Sequence, residues 1–228
     1  MFRVDEILAK LESMQNTEAV KGMARYGINP KKNLGISIYK LREIAKEIGQ
    51  DHGLALKLWN SGIHDARLLA CFIDNPLEVT GKQMDSWAQD FDSWDICDQA
   101  CTSLFDLSPF AWTKVFEWAE KTDEFVKRGA FSLIAGLTVH DKKASDEKFE
   151  QFIPLIKKHS CDERNYVKKA VNWAIRNIGK RNKNLNKRMI TLSRELLKNE
   201  SKTAKWIASD ALRELTSIKI QNRIKKKQ

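Results

Sequence analysis

The sequence predicts an all-α protein built as an α-solenoid of packed helix pairs. Apolar residues recur at helical spacing almost throughout the chain. Strand-like alternation is nowhere sustained. The helical stretches run to roughly 10–16 residues and short loops join them, giving about 35–40 residues per pair. No strict repeat is visible in the sequence, so a compact helical bundle is the competing architecture.

The elements follow in order. Ile7, Leu8, Leu11 and Met14 form one face of a first helix. Ile38, Leu41, Ile44, Ala45 and Ile48 form the next, ended by Gly49. Leu54, Leu58 and Trp59 continue the pattern, and Asp65 suits the cap of a helix carrying Leu68, Leu69 and Phe72. Asn75-Pro76 breaks it. Thr80 starts a helix with Met84, Trp87 and Ala88, and Ser93 starts one with Ile96, Cys97, Ala100 and Leu104. Ser108-Pro109 reads as an N-cap followed by proline in the first helical position, with Phe110, Val115, Phe116 and Ala119 beyond. Further helices are expected near 123–137, 145–159, 163–178, 184–198 and 202–216.

The 228 residues are 42% hydrophobic and 31% charged, the balance of a folded domain with a real core. Nothing in composition marks a boundary, so one domain over 1–228 is expected, with a basic tail fraying from about 217. No run approaches the roughly 20 apolar residues of a membrane span. The start, MFRVDEILAKLESM, carries acids and no apolar core, so the expected address is cytoplasmic rather than secretory. Four cysteines in a chain this long are not a disulfide framework. Without CxxC, HExxH or clustered histidines, a zinc site has little support. The absence of GxGxxG, GxxxxGK[ST] and GxSxG removes the main support for nucleotide-binding and α/β-hydrolase readings.

Charge is unevenly spread. The formal net charge is +10, but residues 164–228 hold 19 Lys/Arg against 4 Asp/Glu, while residues 1–163 hold 21 against 26. From Arg164 to Arg194 there are 10 basic residues and no acid. Such a block suggests a polyanion, most commonly nucleic acid; the plainer reading is a solvated basic face.

Three segments carry possible chemistry. In Asp90–Asp98, four acids occupy nine residues. Trp94 and Asp98 are i and i+4 and share a helix face, Asp95 points elsewhere, and Asp92 or Ser93 can cap the helix. In Asn165–Lys180, Val167, Ala170, Val171, Ala174 and Ile178 form a buried stripe. Lys169, Trp173, Arg176 and Lys180 fall at i, i+4, i+7 and i+11 on another face, which suits contact with a sugar-phosphate backbone or a half-buried Trp with snorkelling neighbours. In Phe125–Phe131, Arg128 can reach a phosphate in bidentate fashion or pair with Glu124 at i−4.

Trp94-Asp95-x-x-Asp98, an Arg in VKRGAF, and a Trp in KKAVNWAIR resemble, in order and spacing, the AlkD family of DNA alkylation-repair glycosylases. Asn33-Leu34-Gly35-Ile36 is similar to that family's early LGI segment, and the resemblance covers roughly residues 20–215. It implies a superhelix of HEAT-like repeats that cradles double-stranded DNA containing alkylated bases. It also implies excision of cationic purines such as 3-methyladenine and 7-methylguanine without a deep base pocket or any cofactor. Position by position, the resemblance makes Asp98 the catalytic carboxylate and Trp94 and Trp173 the aromatic residues beside the deoxyribose. Arg128 becomes a DNA-backbone contact, with Arg176 a further basic residue one turn after Trp173; Lys169 and Lys180 join them on the basic face. Cys97 and Cys101 are expected to be small core residues. Two other readings compete: a non-catalytic HEAT-like binder of DNA structures, and a helical scaffold for an acidic protein. A monomer is the default for each.

Overall fold

The computed structural model describes residues 3–226, and every regular element among them is helical. The chain divides into two compact units, one up to Phe110 and one from Ala111. The first holds α1 (Val4–Glu12), α2 (Thr17–Ala24), α3 (Ile38–Ile48), α4 (His52–Asn60), α5 (His64–Ile73), α6 (Gly81–Gln89), α7 (Trp94–Ser103) and a 3-10 turn at Phe105–Leu107. The second holds α8 (Ala111–Ala119), α9 (Glu124–His140), α10 (Asp146–Glu150), α11 (Ile153–His159), α12 (Asn165–Gly179), α13 (Lys183–Leu196), α14 (Lys202–Leu215) and α15 (Ile218–Lys225). No helix among the described residues is long and apolar enough to cross a membrane.

Alternate helices stack on one another in each unit. In the first, α5 packs between α3 and α7 and pairs with α4. In the second, α12 packs between α9 and α14, while α8 pairs with α9 and α13 with α14. Polar contacts between successive layers recur 29 or 31 residues apart in the first unit. In the second the spacing is 34 to 43. The expected 35–40 therefore suits the second unit better than the layers around α5.

Aromatic rings fill both cores. Trp59 and Trp87 stack at 3.9 Å with Phe91 against the edge of Trp59. Trp112 stacks on Phe152 at 5.2 Å. α12 lies so close to its neighbours that a Cβ at Gly179 would meet Leu215 at 2.7 Å and Met189 at 3.2 Å.

Several local expectations change. α2 went unforeseen because none of its residues is buried, so it has no apolar stripe to read. Asp65 does not cap α5: it is fully buried and accepts hydrogen bonds from the Leu34 and Ile36 amides at 2.6 and 2.8 Å, tying the loop before α3 to α5. In that loop Gly35 has φ +74°, and a Cβ there would lie 2.4 Å from the Asn16 carbonyl oxygen. Ser108-Pro109 starts no helix; Ser108 closes the 3-10 turn and accepts from the Phe110 amide at 3.4 Å, and α8 begins at Ala111. The helix expected over 145–159 is two, because Pro154 lacks the amide an unbroken helix needs and sits instead in the first turn of α11. Over the expected tail, Ser217 caps α15 and Ile220 and Ile224 are buried; the last two residues lie outside the described part.

Candidate nucleic-acid interface

In the first unit, α7 begins at Trp94 and carries Asp98 one turn later, both half-buried. Ile96, Cys97, Ala100 and Cys101 of the same helix are buried, as expected of core residues. Burial pushes the Cys101 thiol up, followed by Cys97 and by the nearby charges of Asp98 and Asp106. The Trp94 indole N–H donates to the Tyr26 carbonyl at 2.9 Å, which fixes the ring against the segment after α2.

The acidic cluster is largely accounted for by partners that spacing alone did not reveal. Asp90 accepts from the Trp59 indole at 2.8 Å and pairs with Arg67 at 3.2 Å. Asp92 accepts from the Asn29 side-chain amide at 2.7 Å. Asp95 accepts from His64 Nε2 at 2.9 Å, from Ser93 Oγ at 2.8 Å and from the Ile96 amide at 3.0 Å. Ser93 therefore stands at the N-cap without a capping side-chain bond, because its hydroxyl is turned to Asp95.

His64 is 4% exposed and its Nδ1 is buried without a hydrogen-bond partner among the described residues. Burial works to lower its pKa, but the hydrogen bond and charge of Asp95, with Asp65 and Asp92 behind, outweigh burial and raise it. Burial likewise works to raise Asp95, and the His64 contact leaves it below its ordinary value. The two shifts agree on a charged pair, held beside the residue that precedes it, Trp94.

In the second unit, Arg128 on α9 is 6% exposed and donates to the Tyr166 carbonyl at 2.8 Å. Glu124, one turn earlier, accepts from the Tyr166 amide at 3.1 Å. The two side chains grip the main chain of one residue in the first turn of α12. Glu124 thereby supplies the N-terminal acceptor that Arg164, at the N-cap position, does not provide.

The four residues expected on one face of α12 separate into two groups. Lys169 is exposed and pairs with no carboxylate among the described residues. The half-buried Trp173 joins no ring stack, and its indole N–H meets no acceptor among them. Arg176 instead donates to Asp210 at 3.1 Å, and its Nε lies 2.6 Å from Glu214 Oε2, close enough for an ion pair but out of line for a hydrogen bond. Lys180 reaches Glu214 Oε1 at 3.0 Å. Asp210 also pairs with Arg213. Two of the few acids in the basic segment thus sit opposite its Arg176/Lys180 end, a pairing between helices that charge counting along the chain cannot show. Among the described residues no group of three or more His, Cys, Asp or Glu is placed to hold a metal ion.

A family model described as DNA alkylation repair enzyme matches residues 7–215. No curated protein matches the chain. One similar solved structure is described as a new family of proteins related to the HEAT-like repeat DNA glycosylases with affinity for branched DNA structures. Its TM-score is 0.77 at 18% identity, over 93% of this chain and 95% of that one, which shows a shared fold. An engineered protein matches with a TM-score of only 0.37 at 14% identity, over 78% of this chain and 91% of its own. The layered helices are thus an α-solenoid of HEAT-like repeats, and the chain belongs to the DNA alkylation repair enzyme family.

Proposed function

We propose that the protein is a DNA glycosylase that removes positively charged alkylated purines, such as 3-methyladenine and 7-methylguanine, from duplex DNA. The observation that carries this reading is the Trp94–Asp98 pair. An indole fixed by the Tyr26 carbonyl and a half-buried carboxylate lie one turn apart on α7, in a chain of a DNA alkylation repair family.

The chemistry asks little of the protein. An alkylated purine already carries positive charge, so it leaves without being protonated by a general acid. As the C1′–N bond breaks, its electron pair passes to the base, which departs neutral, and positive charge builds on the sugar. Glycoside hydrolases stabilise the same oxocarbenium character with a carboxylate. Asp98 serves this purpose here and positions the water whose oxygen bonds to C1′; the proton lost from that water passes to the carboxylate or to solvent. The electron-rich face of Trp94 adds cation–π attraction to the sugar, about 0.5–2 kcal/mol; Trp173, on one helix face with Lys169, is an aromatic contact of the second unit. No metal or organic cofactor enters these steps.

Lys169 serves as a phosphate contact. Arg128 acts through the Tyr166 main chain, setting the start of the helix that carries Lys169 and Trp173. Arg176 and Lys180 contact DNA only by exchanging Asp210 and Glu214 for phosphates. The reading takes the protein as a cytoplasmic monomer.

Release of free base from a duplex carrying one 7-methylguanine tests the proposal. Release well above that of the protein-free duplex is expected. No release, with salt-dependent binding intact, would favour a second reading: a non-catalytic binder of DNA structures, which the relation to the branched-DNA protein supports.

A further inference from the structure

We propose that the N-terminal halves of α12 and α14 form a platform for unpaired nucleotides, with a base stacked on Trp206 and its phosphates held by Lys168, Lys169 and Lys205. The inference rests on the DNA-binding reading above and goes beyond it, because it assigns a second contact specific for single-stranded or branched DNA.

Trp206 lies in the second turn of α14 and is 44% exposed. That is unusual for this chain's tryptophans: Trp59, Trp87 and Trp118 are at most 3% exposed. No aromatic ring of the described residues stacks on Trp206. Its neighbour is the Lys168 ammonium from α12, 5.5 Å from the ring centroid. Core packing does not require an indole in this position.

The register between the two helices places this pair at the end of a ladder. Lys168 meets Trp206, Asn172 Nδ2 donates to the Ile207 carbonyl at 3.1 Å, Arg176 meets Asp210, and Lys180 meets Glu214. On α14 the face toward α12 therefore reads Trp206, Asp210, Glu214, at i, i+4 and i+8. The last two rungs are charge-compensated. The first has an aromatic face where the last two have a carboxylate. Lys169, next to Lys168 on α12, and Lys202 and Lys205, within about a turn of Trp206 on α14, are exposed, and none pairs with an acid among the described residues. Positive charge is thus concentrated beside the exposed indole and cancelled further along.

An aromatic face among uncompensated cations fits a strand whose bases are unstacked. In a duplex each base face is covered by its neighbours and the indole has nothing to receive. An unpaired base exposes a face to any aromatic side chain, and the lysines meet the flanking phosphates without reading sequence. An acidic protein segment would satisfy the lysines but leave the indole without a role.

Labelled single-stranded, flapped and blunt duplex oligonucleotides of equal length test this with Trp206→Ala, Trp206→Phe and wild type. Trp206→Ala is expected to weaken binding to the single strand and the flap by about 5- to 100-fold. Blunt-duplex binding should stay within about twofold of wild type, and Trp206→Phe should retain most of the affinity. Equal loss on all three DNAs, or no loss on any, would overturn the platform. So would tighter binding of a glutamate-rich peptide than of the single strand, which would indicate an acidic protein partner. Base release from a fully paired 7-methylguanine duplex separates the two proposals. If wild type releases no base while Trp206→Ala still loses flap binding selectively, the glycosylase reading fails and the platform stands. If base is released and Trp206→Ala binds all three DNAs like wild type, the reverse holds.

Discussion

The acidic start of α7 and the basic face of α12 look alike as sequence: each is a run of one charge sign with a tryptophan in it. In the structure both are partly compensated, by different means. Around α7 the partners come from loops and helix ends of the first unit: Asn29 for Asp92, Trp59 and Arg67 for Asp90, His64 for Asp95. On α12 they come from one neighbouring helix in a regular ladder, Asp210 and Glu214 against Arg176 and Lys180. The basic helix keeps positive charge available toward its N-terminal half, where Lys169 lies, a turn before Trp173. Charge counted along a chain is therefore an upper bound on charge available to a partner.

The largest expected effect that bears on this difference is at the Tyr166 grip. Arg128→Met leaves a carbonyl without its charged donor and should lower stability by about 1–3 kcal/mol. It should weaken duplex binding with it, since the same contact sets the start of α12. Denaturant unfolding beside a binding titration checks both, and weaker binding at unchanged stability would make Arg128 a direct phosphate ligand instead.

The ladder comes next. Asp210→Asn with Glu214→Gln releases Arg176 and Lys180, so duplex binding should tighten. The slope of log affinity against log salt should steepen by about 0.9 for each phosphate newly contacted. An unchanged slope would mean that this end of α12 does not face DNA. Lys169→Ala is the converse and smaller change, with the slope reduced by about 0.9, binding weakened and the unfolding midpoint unmoved.

The smallest effect is in pH. His64 has a raised pKa in the folded protein, so its contribution is fully present below 6.5, the ordinary value, and is lost as pH rises through the raised one. Asp95 is lowered, so its share is present above 3.8 and is lost only as pH falls through its lowered value. Wild type should therefore lose stability as pH rises above 6.5 that a His64→Asn variant does not lose. Parallel curves would mean the pair is neutral.

Most of the helices were legible in the sequence, because helical periodicity is a local signal; the proposed site rests on the order Trp94, Asp98, Arg128, Trp173, which is local too. What escaped was set by partners distant in the chain. Asp65 has the right chemistry for a cap, and nothing in its neighbours shows that the Leu34 and Ile36 amides claim it. The compensation of Arg176 and Lys180 depends on acids 34 residues on, opposite only once the helices have stacked. α2 had no apolar stripe to read, and Pro154 was the one signal that divided α10 from α11.

The most direct test of the proposed activity is single-turnover base release from a 7-methylguanine duplex by Asp98→Asn beside wild type, with binding of both measured on the same DNA. The account predicts that release falls by about a hundredfold or more while the dissociation constant changes little. Release at the wild-type rate would contradict it and remove Asp98 from the chemistry.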